Sequence, residues 1–245
     1  MTKLYKRSEI TLAVLWIAAY IVLGGAANYL SENVKIACSL TASLHAAMAL
    51  VLFFWIRKNK LSVKYGLCRP KLRAKCFLYY LPLVFVASMS LWNGVSLKVG
   101  FSETVLFLVN MCCVGFLEEL LFRGLLFRAL EKESLKSAVI VSAFAFGLCH
   151  IVNLSGRVGQ GFSSAMIQIM FAILIGLILA LLFYRSASLI PCILFHSLNN
   201  ALSAFQEKGT EGLQPNGVLR LLLVCVLLCG YMLYLIKAFP RKTES

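Results

Sequence analysis

Aspartate is absent from this 245-residue chain, and all ten acidic residues are Glu. Any mechanism built on a pair of aspartates is thereby excluded. Charge of either sign is scarce: 14% of residues are charged and 60% are hydrophobic, with mean hydropathy +0.85. Soluble domains carry about 25% charged residues, so a soluble globular protein is excluded as well. The chain has no HExxH metalloprotease helix, no CxxC pair, no internal repeat and no low-complexity tract. Cys38, Cys112, Cys113, Cys149, Cys192, Cys225 and Cys229 lie inside apolar runs, where Cys behaves as a small hydrophobe. Cys68 and Cys76 alone flank a basic loop, and we expect neither a disulfide framework nor a cysteine–metal site.

Long apolar runs take the place of these features. They reach about 20 residues, the length a helix needs to cross ~30 Å of hydrocarbon. The pattern predicts an all-α, polytopic membrane protein with about eight transmembrane helices, near 10–30, 34–56, 76–92, 103–127, 135–152, 164–184, 188–205 and 217–238. Lys3, Lys6 and Arg7 before the first run imitate a signal peptide. The run from Ile10 to Leu30 is longer than a signal h-region, so a retained first helix is expected. We expect one integral membrane domain over 1–245, with its motif-bearing core at 103–205.

The net charge of +14 has a topological reading. With a cytoplasmic N-terminus, eighteen Lys and Arg fall on the inside, eight of them in the spacer 57–75, and five on the outside. Arg123 lies within a span. Both termini are then cytoplasmic in a multi-pass cell-membrane protein, and the positive charge faces anionic lipid headgroups rather than nucleic acid.

Ionisable groups inside spans cost free energy to insert, and they are the informative ones. The fourth span contains Glu118, Glu119 and Arg123. Glu119 and Arg123 are i,i+4 and can pair; Glu118 points ~100° away and remains available for chemistry. Phe146 and His150 share a face of the fifth span, as do His196 and Asn200 of the seventh. At ~1.5 Å per residue, Glu118, His150 and His196 reach similar depths in the central to cytoplasmic bilayer and could converge on one cavity. His45, Asn110 and Gln168 read as hydrogen-bonded packing residues. A carboxylate with an imidazole can deprotonate water, and a second His with an Asn amide can stabilise an oxyanion, which together describe amide hydrolysis. Alternatively Glu118, His150 and His196 could ligate Zn²⁺; the residues alone leave both versions open.

These residues resemble the EExxxR, FxxxH and HxxxN motifs of the CAAX protease and bacteriocin-processing (CPBP, or Abi) family of intramembrane endopeptidases, whose eukaryotic relative is the Ras-converting CAAX endopeptidase. The resemblance covers about 118–200. It implies an all-helical fold around a catalytic cavity, with Glu118 and His150 activating water and His196 and Asn200 stabilising the oxyanion. Glu119, Arg123 and Phe146 would support the site. Family members are described both as metallopeptidases, with Zn the implied metal, and as metal-free glutamate proteases; we expect the metal-free version. The implied partner is a peptide or membrane-protein substrate, in peptide maturation or bacteriocin self-immunity. The other readings are a non-catalytic scaffold or immunity protein, and a proton-coupled transporter.

Overall fold

The computed structural model describes residues 1–34, 39–70, 78–92, 94–96, 100–152, 162–205 and 215–238. Cys38, Cys76, the basic residues Lys71, Arg73 and Lys75, and Lys35, Lys98, Arg157 and Lys208 lie outside the described residues. All regular elements described are helical. They are α1 (Thr2–Arg7), α2 (Glu9–Val34), α3 (Ser39–Lys58), α4 (Leu81–Ser88), α5 (Phe101–Glu118), a π-helical segment (Glu119–Phe127), α6 (Arg128–Glu131), α7 (Leu135–Cys149), α8 (Phe162–Ser186), α9 (Ile190–Leu202) and α10 (Pro215–Ala238). Short 3₁₀ turns extend α4, α7 and α9.

Local chemistry fixes several of these boundaries. Ser8 leaves α1 in an extended conformation, and its Oγ accepts the Thr11 N–H at 3.1 Å, so one residue ends a helix and caps the next. Ser134 does the same for α7 through Ser137 N–H at 3.2 Å. Pro191 and Pro82 sit in the first turns of α9 and α4, where a missing N–H costs nothing.

The continuous run Phe101–Glu131 is the central element. Helices α2, α3, α7 and α9 surround it, and α8 packs on α7 from outside. Every residue of its π segment is buried. Outward faces are apolar: Val22, Tyr29, Phe54, Leu194 and Val226 are all more than half exposed. A bundle buried at its axis and apolar outside suits lipid as solvent. Among the described residues, four helices are long and apolar enough to cross a membrane: Glu9–Ser31, Ser39–Lys58, Phe101–Glu131 and Met166–Ser186. This is a multi-pass membrane protein. The expectation of eight spans counted every apolar run as a crossing. Leu78–Leu91 and Leu135–Cys149 are shorter apolar helices, Leu222–Ala238 is the apolar part of α10, and α9 has 13 residues.

The four long helices also share an end. Glu9 at the start of α2 contacts Lys64, just beyond α3, and Lys132, just beyond α6. The loop after α3 docks on the turn after α8: Leu189 N–H donates to Gly66 O at 2.8 Å. Gly66 has φ +72°, and a Cβ there would lie 3.0 Å from Leu189 N. Only glycine meets both requirements without strain.

Candidate active site

Gly115 sets the spacing between α5 and α9. A Cβ at this position would come within 2.8 Å of Ser197 N and 3.0 Å of Ser197 Cα, so the two helices meet backbone to backbone. Their neighbouring residues, Glu118 and Glu119 on one side and His196 on the other, are therefore face to face.

The His196 imidazole lies between the two carboxylates. Its Nδ1 is 2.8 Å from Glu119 Oε1, and its Nε2 is 3.3 Å from Glu118 Oε2. Glu119 Oε1 also accepts from Arg123 Nη1 at 2.9 Å, and both of those side chains are fully buried. The expected i,i+4 pair is present. It forms within the π segment, whose i→i+5 hydrogen bonds widen the turn; such turns recur at functional sites. Glu118, the last α-helical residue before it, keeps 13% of its side chain exposed. Glu119 is thus the glutamate tied to Arg123, as the spacing predicts, while Glu118 meets His196 instead.

Phe146 is the hub on the opposite wall. The Arg123 guanidinium carbon lies 4.3 Å from its ring centroid. The ring meets His150, Phe122 and His196 edge-on, with centroids 5.2, 5.5 and 5.6 Å apart. His150 opens the 3₁₀ turn after α7, and its Nδ1 is 3.1 Å from Phe146 O. A carbonyl only accepts, so Nδ1 carries the proton and the neutral ring leaves Nε2 as an acceptor. Asn200 lies one turn beyond His196 on α9, and its Oδ1 is 3.4 Å from Asn199 Nδ2. The structure thus links Glu118, His196, Glu119, Arg123 and Phe146 in one chain of contacts, with His150 joined through Phe146. Asn200 shares the helix of His196 without a described contact to the carboxylates.

Tyr20 was missed by the sequence reading. From α2 it donates its hydroxyl to Glu118 Oε1 at 2.7 Å. Its ring lies 5.2 Å from that of His45, whose Nδ1 is 2.8 Å from Asn110 Oδ1. The hydrogen-bonded packing role expected for His45 and Asn110 is seen, and it backs the tyrosine. Glu118 therefore has a partner on each oxygen, contributed by α2 and α9.

Charge can be balanced inside the bilayer. Glu119 offsets Arg123, and Glu118 with His196 can hold one proton between them, either as carboxylate and imidazolium or as carboxylic acid and imidazole. The cluster is then neutral overall, which is the condition for tolerating four ionisable groups, three on the central helix and one on α9, inside the bilayer.

Zinc requires three or four converging donors. Among the described residues no three His, Cys or Glu side chains come together as a metal-binding group. Of Glu118, His150 and His196, only Glu118 and His196 face each other, and His196 Nδ1 is engaged by Glu119. A zinc site with three protein ligands does not fit this arrangement.

Residues 100–202 match the family model described as type II CAAX prenyl endopeptidase Rce1-like. The segment that carries the site is therefore similar to the CAAX endopeptidases, as its motifs implied. Tyr20 and His45 lie outside the matched segment. No curated protein and no solved structure matches the chain.

Proposed function

We propose that the protein is an intramembrane endopeptidase in which Glu118 activates water against a peptide bond of a membrane-associated peptide or protein. The observation that supports this most is the Glu118–His196 contact at 3.3 Å, flanked by the Tyr20 hydrogen bond and backed by Glu119. Water attacks the scissile carbonyl carbon and gives its proton to the Glu118–His196 pair. His150 Nε2, an acceptor, orients the attacking water, and the tetrahedral oxyanion accepts a hydrogen bond from the Asn200 side-chain amide. Collapse breaks the C–N bond as the pair returns the proton to the leaving amine. This role exchange keeps the site's net charge constant at the start and end of the cycle. Tyr20 and Glu119 hold the two members of the pair in register, and Arg123 stacked on Phe146 fixes Glu119. General-base assistance of this kind contributes ~10²–10⁴-fold.

In this reading water is activated without a metal, both termini are cytoplasmic, and the basic end of the bundle faces the inner leaflet. The role is maturation of a secreted or signalling peptide, or self-immunity to a bacteriocin. Membrane peptidomes of cells carrying wild-type protein or Glu118→Ala test the proposal. A precursor that accumulates only with the variant is expected, and identical peptidomes would leave the scaffold reading in its place. Activity on that precursor should survive a zinc chelator. An impermeant thiol reagent outside intact cells should spare a single Cys introduced at Ser62.

A further inference from the structure

The shared end of the four long helices contains a second group of charges that the proposed chemistry does not use. A pocket of about 370 Å³ opens there, lined by Val63, Lys64, Cys68, Arg128, Glu131, Lys132 and Ala187. Its three cations come from different parts of the chain: Lys64 from the loop after α3, Arg128 from α6, and Lys132 from the turn beyond it. They face one lining carboxylate, Glu131, which Arg128 engages at 2.5 Å. Behind them Glu9 Oε1 is 2.6 Å from both Lys64 Nζ and Lys132 Nζ.

This scaffold organises the cations without consuming them. The Lys64 ammonium uses two of its three protons, on Glu9 and on Tyr5 at 2.9 Å; Lys132 uses one on Glu9, and its side chain is 56% exposed. Arg128 stacks on Phe183, with its guanidinium carbon 4.4 Å from the ring centroid, and its buried Nε–H has no protein partner. Burial pulls the Lys64 pKa down. The hydrogen bonds to Glu9 and Tyr5 outweigh this and hold it above the ordinary lysine value, so the charge persists at neutral pH.

The level of the pocket identifies its ligand. Glu9 begins one crossing-length helix, and Lys58, Glu131 and Ser186 end the other three. The pocket sits beside these termini, at the headgroup layer, and its rim carries the exposed apolar Val63. A pocket of this size is large enough for a small polar ligand. A phosphate there meets N–H donors from three cations while acyl chains run along the apolar exterior. The geometry points to a binding site for the phosphodiester of one anionic phospholipid, held by Lys64, Arg128 and Lys132.

Native mass spectrometry of the purified full-length chain in detergent tests this, with titration by phosphatidylglycerol, phosphatidylcholine or inorganic phosphate. One phosphatidylglycerol should be retained in preference to phosphatidylcholine. Arg128→Gln with Lys132→Gln should weaken its retention by roughly 30-fold, as expected for two charges next to a surface anion. Lys132→Gln alone, at an exposed position, should weaken it by several-fold and keeps the test available if the double variant does not fold. Lys237→Gln, outside the pocket, should change nothing. Equal retention of the two lipids would overturn the site, as would undiminished retention by the Lys132→Gln variant. Binding of inorganic phosphate as tight as that of phosphatidylglycerol would make it a site for the free ion and not for a lipid.

Discussion

The central helix carries two Arg–Glu pairs of nearly the same construction, and they have opposite consequences. Arg123 pairs with Glu119 at 2.9 Å and lies 4.3 Å from the Phe146 ring. Arg128 pairs with Glu131 at 2.5 Å and lies 4.4 Å from the Phe183 ring. The first pair has no solvent exposure; the side chains of the second are 18% and 21% exposed. Coulomb attraction across a given gap is several-fold stronger in the interior than near water, but so is the cost of removing one partner. The inner pair can therefore act as a rigid support, holding Glu119 where His196 needs it. The outer pair remains exchangeable, which suits a surface that receives ligands. Residue type does not separate the two, and their spacings, i,i+4 and i,i+3, both place the partners on one helix face; depth sets the pairs apart.

Removing the inner arginine should break the comparison most strongly. Arg123→Ala strands Glu119 without its cation, and folded stability should fall by about 3–5 kcal/mol in reversible denaturant unfolding. Glu119→Ala added to it should recover part of that loss. A double variant no more stable than either single one would show that the two residues do not act as a pair.

The next largest effect should come from Gly115. Ala at this position would force α9 away from α5 and should cost about 1–3 kcal/mol through overpacking. Activity should fall further than stability, because His196 moves with α9 while Glu118 stays. Crosslinking of paired cysteines across the two helices would report the displacement, and unchanged crosslinking would separate Gly115 from the site.

The outer pair supplies the smallest effect. Arg128→Ala should lower stability by less than about 1 kcal/mol, the range of partly exposed ion pairs. Thermal melts in detergent measure it beside Arg123→Ala. A loss matching that of Arg123→Ala would mean that burial does not distinguish the two pairs.

The legible parts of this molecule were those written in local spacing. Glu119 and Arg123 at i,i+4 announced their pairing, and apolar runs located the helices. His45 and Asn110 each read as a hydrogen-bonded packing residue; that they bond to each other, at 2.8 Å, comes from the fold alone. Tyr20 was illegible for a physical reason: a tyrosine in an apolar helix looks like a packing residue, and its partner lies 98 positions along the chain. The π segment was hidden because an apolar pattern cannot tell an i→i+5 ladder from i→i+4. The count of about eight crossings rested on hydropathy, which marks apolar segments and not helix length; among the described residues four helices are long and apolar enough to cross, and α9 has 13 residues. The nearest imidazole to Glu118 among the described contacts belongs to His196, whereas the motif resemblance had paired Glu118 with His150. Only the close approach at Gly115 reveals that arrangement.

The proton-sharing pair of Glu118 and His196 is the centre of the account, and Glu118→Gln addresses it directly. The amide keeps the shape and the hydrogen bond from Tyr20 but cannot take a proton from water. With purified protein and the precursor that accumulates in Glu118→Ala cells, the cleavage rate should fall by ~10²–10⁴-fold. The melting temperature should stay close to that of the wild type. Cleavage by Glu118→Gln at the wild-type rate would contradict the assignment of Glu118 as the base.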